Sequence, residues 1–167
     1  MPLDAKSLIE KLDLQPHREG GYYRRTYQAS DRPMVDSESG PRFLMTSIYY
    51  MLTREAPIGC FHVNQSDIMH VHNAGAALRY YLISPQGELQ IVTLGPNIER
   101  GERMQFVVKG GYWKATELVA GAEHDFGLLT EVVVPGFDYA DMILGKRDEL
   151  LALFPQHESL IARFAET

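Results

Sequence analysis

The sequence contains little cysteine and no long apolar run, and each absence excludes a class of protein. Cys60 is the one cysteine among 167 residues, so no disulfide can form within the chain, which is typical of a reducing compartment. No stretch of eighteen apolar residues occurs, so we expect no membrane-spanning helix and no membrane partner. The opening MPLDAKSLIEKLDL lacks the basic and then apolar pattern of a signal peptide. We therefore expect a cytoplasmic protein.

Basic residues are also few compared with acidic ones. The chain has 16 Lys and Arg against 22 Asp and Glu, which gives a net charge of −6. Proteins that bind nucleic acids more often present a basic surface, so we expect no nucleic-acid partner. The length suits a single domain over residues 1–167, and the apolar content of 45% is enough to build a core.

Short strand-like segments dominate the chain from Phe43 onward. They recur at intervals of roughly 8–15 residues without strand–helix–strand alternation, which predicts an antiparallel all-β sandwich or barrel. The segments include FLMTSIYYML, GCFHV, IMHVHNAG, ALRYYLIS and LQIVTLG. Short helices are predicted at 4–14 and across 146–166, the latter interrupted at Pro155. Residues 30–42 are rich in Ser, Asp, Pro and Gly and are predicted to form a surface loop.

Three of the six histidines lie within FHVNQSDIMHVHNAG (61–75). Alternate residues of a strand share a face, so His70 and His72 are predicted to point the same way, and His62 could face the same space. Three imidazoles could hold a divalent zinc, iron, nickel or manganese ion with open positions. However, Ile68 shares their face and Asp67 does not, so a carboxylate would complete the set only if a bulge or turn at 64–67 redirected Asp67. A bound metal and no metal are both compatible with this pattern.

A metal-free alternative uses a histidine as a general acid or base, because imidazole exchanges protons near neutral pH. His62 could pair with Asp67, and the acid could be one of Tyr22, Tyr49 or Tyr81. On this basis His62, His70 and Tyr49 are our candidate catalytic residues. The third interpretation is a pocket whose histidines bind backbone groups or water and catalyse nothing.

Four further residues are candidate contacts for a small-molecule ligand: Glu19, Tyr23, Arg79 and Trp113. Glu19 precedes a Gly-Gly pair that permits a close backbone approach, and it could reach a ligand or pin the loop to the barrel. Arg79 could bind a phosphate or carboxylate through both guanidinium nitrogens, or face solvent. Trp113 could stack on a sugar or base, or belong to the core.

Several separated segments occur in an order that resembles a known family. They are LQPHREGGYYRRTY (14–27), TSIYYML (46–52), FHVNQSDIMH (61–70), VVKGGYWKAT (107–116) and VVVPGFDYADM (132–142). Together they resemble the DUF985 family, the Cupin_5 branch of the cupin superfamily, over most of residues 8–145. The resemblance implies a double-stranded β-helix, a jelly-roll barrel with its core at about 20–145 and short helices at both ends. It also implies one pocket between the sheets and pairing as a homodimer.

The departures from the superfamily pattern bear on function. Metal-bearing cupins take two histidines and a glutamate from a first motif and another histidine from a second. Here Ile68 stands where an acidic residue is expected, and the second region, VVKGGYWKA, has no histidine. Because one fold hosts many activities, two functions stay open. One is an isomerase, epimerase or lyase for a sugar- or nucleotide-like substrate, with or without a metal; the other is a non-catalytic binding protein with a degenerate metal site.

Overall fold

The computed structural model describes residues 3–167, in which two antiparallel sheets pack face to face. The first sheet contains, in spatial order, β1 (Gln15–Pro16), β2 (Tyr22–Gln28), β5 (Thr46–Thr53), β12 (Phe126–Val134), β7 (Asp67–Gly75) and β10 (Gln105–Val108). The second contains β13 (Met142–Leu144), β6 (Ile58–Asn64), β11 (Trp113–Leu118), β8 (Leu78–Ile83) and β9 (Leu89–Leu94). This is the cupin jelly roll that the resemblance implies, and the predicted fold class is confirmed.

The alternation of side chains along the strands creates apolar layers on both faces of each sheet. Tyr50 and Leu52 of the first sheet meet Tyr80 and Leu82 of the second in the core between them. Phe61 points to the other side of the second sheet, so its neighbour His62 points inward. A polar residue on the inner face therefore enters the barrel interior, where it needs a hydrogen-bonding partner.

Three short helices cover the outer faces. Helix α1 (Ala5–Lys11) begins at Asp4, whose side chain accepts a hydrogen bond from the Ser7 amide, and it packs against the first sheet. Helices α2 (Arg147–Leu153) and α3 (Glu158–Phe164) pack against the second sheet and are separated by a turn of 3-10 helix at Pro155–His157. The predicted terminal helices are confirmed. Within residues 3–167 no helix has both the length and the apolar character needed to cross a membrane.

The prediction of a plain loop at 30–42 is wrong in its second half. A hairpin forms there from β3 (Val35–Ser37) and β4 (Gly40–Arg42). Arg42 anchors it through two short contacts with Asp141, Nε to Oδ2 at 2.7 Å and a terminal nitrogen to Oδ1 at 2.8 Å. The partner of this ion pair lies far away in sequence, so the local composition could indicate only the turn.

Candidate active site

A cavity of about 310 Å³ opens between the two sheets. Its wall combines the segment before β2, the inner face of both sheets and the loop that leads into β13. The polar side chains in this wall are His17, Glu19, Tyr23, Arg25, His62, Asn64, Glu131, Asp138 and Tyr139. The cavity thus gathers ionisable groups from parts of the chain that are distant in sequence.

A bulge in β6 and the turn before β2 bring Glu19 and His62 together. In the pairing of β6 with β11, Gly59 faces Thr116 and His62 faces Lys114, so β6 carries one extra residue, a β-bulge. The amide of Cys60, inside this bulge, donates to the Glu19 carbonyl at 2.6 Å. The bulge is therefore bound directly to the turn that carries Glu19.

The Glu19 and His62 side chains form a buried pair, 4% and 2% exposed. His62 Nε2 lies 2.8 Å from Glu19 Oε2, while His62 Nδ1 lies 2.8 Å from the Cys60 carbonyl oxygen. A carbonyl can only accept, so Nδ1 carries a hydrogen, and the short contact at Nε2 then needs a second proton between the two side chains. Burial alone would raise the pKa of Glu19, but the charge and hydrogen bond of His62 outweigh it and hold that pKa well below its usual range.

His17 lies beside this pair in its neutral form. Its Nδ1 accepts a hydrogen bond from the Glu19 amide at 3.2 Å, which leaves the single ring proton on Nε2. Burial lowers the pKa of His17, and the nearby Glu19 carboxylate opposes this only in part. The ring also packs edge-on against Tyr23 at a centroid distance of 4.6 Å. His17 thus supports the Glu19 turn and adds a polar edge to the cavity.

Two tyrosines and an arginine line the more exposed part of the cavity. The hydroxyls of Tyr23 and Tyr139 are 3.3 Å apart. Burial and this contact raise the pKa of Tyr139 to about 12, so its phenol keeps its proton at neutral pH. The Arg25 guanidinium donates to the Phe137 carbonyl, and Arg18 lies 5.3 Å over the Tyr139 ring. This region therefore offers hydrogen-bond donors and positive charge to a ligand.

Asn64 supplies an unused polar group inside the cavity. It follows His62 by two residues on β6 and shares its face. Its side chain is buried, and Oδ1 has no hydrogen-bond partner among the described residues. Buried polar atoms are normally paired, so an unpaired one that faces a cavity is suited to a ligand or water.

A second polar cluster, which we call the Lys114 cluster, consists of His70, Lys114 and Glu131. His70 is fully buried, and its Nδ1 lies 3.3 Å from the Ile68 carbonyl. The Lys114 ammonium lies 2.9 Å from His70 Nε2 and 3.5 Å from Glu131 Oε1. Since an ammonium can only donate, His70 Nε2 is its acceptor and the ring is neutral. Burial and, after it, the Lys114 charge hold the pKa of His70 well below its usual value.

The three histidines predicted as metal ligands do not converge. His62 Nε2 is bonded to Glu19 and His70 Nε2 to Lys114, whereas His72 Nε2 lies 3.2 Å from the Ala76 carbonyl and is not part of the cavity wall. Across residues 3–167 no three His, Cys, Asp or Glu side chains form a group that could hold a metal ion. The residues present therefore do not fit a divalent ion in this arrangement, because a lysine ammonium occupies the nitrogen that an ion would need.

Other predicted site residues lie elsewhere. Tyr49 faces the core beneath α1, on the opposite side of its sheet from the cavity. Arg79 lies near Glu117, and Trp113 packs in the core beneath α2 and α3. Asp67, considered as the partner of His62, is exposed and instead binds the Lys109 ammonium and the Gly110 amide. Strand parity explains these placements, because each side chain points away from the barrel interior.

Glu19, Tyr23 and His62 do lie in the cavity wall, as predicted, and their roles stay predictions. Sequence reasoning missed Asn64, Lys114 and Glu131. A usable signal existed for the two charged residues, because each is flanked on both sides by uncharged residues of a strand, in YWKAT and LLTEVVV. A charged side chain in such a strand must point inward with a partner or outward to solvent, and the sequence did not show which.

Comparisons with known proteins agree with this architecture. A family model described as Cupin superfamily (DUF985) matches residues 6–145. The uncharacterized protein YML079W of Saccharomyces cerevisiae is 39% identical over 160 residues, covering 89% of this chain and 79% of the yeast chain.

Two solved structures are similar to this chain over nearly its whole length. A hypothetical protein from Leishmania major is 31% identical with a TM-score of 0.92, covering 99% of this chain and 100% of that chain. A protein from Shewanella oneidensis is 33% identical with a TM-score of 0.88, covering 99% of both chains. Oxalate decarboxylase of Bacillus subtilis matches at 15% identity with a TM-score of 0.57, over 92% of this chain and 38% of that chain, which shows a shared fold alone.

Proposed function

Since the chain belongs to the DUF985 family of the cupin superfamily, we propose that it is an enzyme that transfers a proton on a small hydroxylated, sugar- or nucleotide-like molecule bound in the barrel cavity. The observation that carries this proposal is the buried contact of 2.8 Å between His62 Nε2 and Glu19 Oε2 in the cavity wall. A histidine and a carboxylate that share one proton can give a proton at one atom and accept one at the other.

The proton count of the pair suits the isomerisation of a carbonyl compound. Glu19 takes a proton from the carbon next to the substrate carbonyl, and His62 gives its Nε2 proton to the carbonyl oxygen. The carbon–hydrogen bond breaks, an oxygen–hydrogen bond forms, and the product is the neutral enol. The pair holds one proton before and after this step. Glu19 then gives its proton to the carbon that carried the carbonyl oxygen, while the hydroxyl on the first carbon gives its proton to His62 Nε2 and becomes the new carbonyl, which completes an isomerase reaction.

The remaining cavity groups suit the binding of such a substrate. The volume of about 310 Å³ is at the small end of the range for ligand sites, roughly 300–1,000 Å³. Asn64 can bind a substrate hydroxyl, and Arg25 can bind a negatively charged group near the opening. Tyr139 keeps its phenolic proton and can donate a hydrogen bond.

The second candidate is a binding protein without turnover. It is favoured because both nitrogens of the His62 ring already have hydrogen-bond partners: Nε2 contacts the Glu19 carboxylate, and Nδ1 donates to the Cys60 carbonyl. A closed ion pair of this kind can be purely structural. In that case the cavity would bind the same class of ligand through Asn64 and the tyrosines.

Hydrogen exchange at carbon distinguishes the two candidates. A panel of keto sugars, sugar acids and nucleotide sugars is incubated with the protein in D2O, and the loss of C–H signals is followed by NMR. We expect exchange in at least one compound, reduced about 10²–10⁴-fold by His62→Gln and by Glu19→Gln. His72→Gln, outside the cavity, is the matched control. A compound that binds, and binds more weakly to Asn64→Leu, but exchanges no hydrogen would establish the binding protein instead.

A further inference from the structure

Lys114 is a buried cation in the barrel interior, with 2% of its surface exposed. Lysine is almost never fully buried unless its charge is paired, because an ammonium loses most of its hydration there. Its Nζ is held by His70 Nε2 at 2.9 Å and Glu131 Oε1 at 3.5 Å. The two acceptors lie on β7 and β12, which pair in the facing sheet with His70 directly opposite Glu131, so both approach the ammonium from that sheet.

The spacing of the two acceptors matches that of metal ligands. His70 Nε2 and Glu131 Oε1 are 3.4 Å apart. Two ligands at about 2.0–2.1 Å from a tetrahedral ion are separated by about 3.3 Å. The two atoms therefore already have the separation that one divalent ion would impose, and the Lys114 ammonium lies within hydrogen-bonding or ion-pairing distance of both.

The charges around this point balance without an added ion. The positive Lys114 faces the negative Glu131, and the Glu19–His62 pair nearby is neutral as a unit, since it shares one proton. His17 and His70 are neutral, and Tyr80 contacts the His70 ring edge-on at 5.0 Å. A divalent cation placed beside Lys114 would add two uncompensated charges to this interior and repel the ammonium.

We propose that the Lys114 ammonium is the resident cation of the barrel interior, holding His70 and Glu131 in the positions that a divalent metal ion would otherwise impose. Lys114 is thus a positioning residue: it keeps His70 as a neutral acceptor and holds the Glu131 carboxylate at the cavity wall. The native protein accordingly has no room for an ion at His70. This inference stands whether or not the Glu19–His62 pair is catalytic.

Removal of the ammonium should create a metal site. The probe is Co²⁺ alone, whose visible absorption reports its coordination, measured on the full chain after desalting. We expect the wild type and the control Lys109→Ala, which removes an exposed lysine, to retain no Co²⁺. Lys114→Ala should retain about one ion per chain, with absorption bands of nitrogen and oxygen ligation and a melting temperature raised by several degrees. The added change His70→Ala should abolish this uptake.

A second variant and a measurement on the wild type keep the proposal testable if Lys114→Ala does not fold. Lys114→His adds a third ligand beside His70 and Glu131 and should bind Co²⁺ more tightly than Lys114→Ala. In the ¹⁵N-labelled wild type, the His70 Nε2 signal should be that of an unprotonated acceptor and should not move when Zn²⁺ is added. The proposal is overturned if the wild type binds a stoichiometric ion that His70→Ala removes, if Zn²⁺ shifts that signal, or if a folded Lys114 variant retains no more Co²⁺ than the wild type.

Discussion

The turn at Gly20 provides the most direct test of how the backbone positions the Glu19–His62 pair. Gly20 has a φ of +108°, and a Cβ added there would lie 2.1 Å from the Ile58 carbonyl oxygen. An alanine would cost about 1–2 kcal/mol for the positive φ. It would also displace the turn and weaken the hydrogen bonds that reach Glu19 and Gly20 from the Cys60 amide and the Tyr50 hydroxyl, each worth about 0.5–1.5 kcal/mol.

We therefore expect Gly20→Ala to lower the free energy of unfolding by about 2–5 kcal/mol in urea denaturation. Gly101→Ala is the matched control, because Gly101 has a φ of +80° but nothing within 4 Å of the added Cβ. Gly101→Ala should lower the free energy of unfolding only by the cost of the positive φ, about 1–2 kcal/mol. If the two variants lose the same stability, the close approach of Gly20 to β6 does not stabilise the protein and our account of the turn is wrong.

Three further outcomes can be measured by the same denaturation assay. The pKa of Glu19 is lower in the folded than in the unfolded chain, so its contribution to stability is present above about pH 4.5 and is lost as the pH falls further. Glu19→Gln should therefore lose less stability than the wild type on acidification. Equal losses in the two proteins would contradict the ion pair. Phe164→Ala should lower the free energy of unfolding by about 3–5 kcal/mol, because the ring is fully buried against Phe61 outside the barrel. Asp67→Asn should lower the free energy of unfolding by less than about 1 kcal/mol, since the ion pair of Asp67 with Lys109 is exposed. A larger loss would assign Asp67 a structural role that the geometry does not support.

Local patterns in the sequence predicted most strands and helices of the fold, but not the hairpin of β3 and β4. The strand periodicity from Phe43 onward predicted an antiparallel sandwich or barrel, which the two sheets confirm. The first predicted helix, 4–14, begins where expected but ends at Lys11, and the predicted interruption at Pro155 separates α2 from α3. These features depend on side chains a few residues apart, which the sequence displays directly.

Which residues form the site depends on contacts between parts of the chain that are far apart in sequence. Asp67 is the predicted partner of His62 and lies close to it in sequence, whereas the structure supplies Glu19 from a turn before β2. His72, the predicted third metal ligand, contacts the backbone near the end of β7, beside a register shift in the pairing of β7 with β12. A bulge or shift changes which way a side chain points, and its position is set by the neighbouring strand.

The sequence by itself indicated an antiparallel all-β sandwich or barrel with terminal helices, because hydrophobic periodicity and capping act over short distances, and the jelly roll followed from the family resemblance. Tertiary structure alone decided that His62 contacts Glu19, that Asn64 Oδ1 has no hydrogen-bond partner within residues 3–167, and that the Lys114 ammonium contacts both His70 and Glu131. The physical reason is that a buried polar group must be satisfied by whichever group the packing of distant strands brings within about 3 Å, and that choice is made only when the two sheets close on each other.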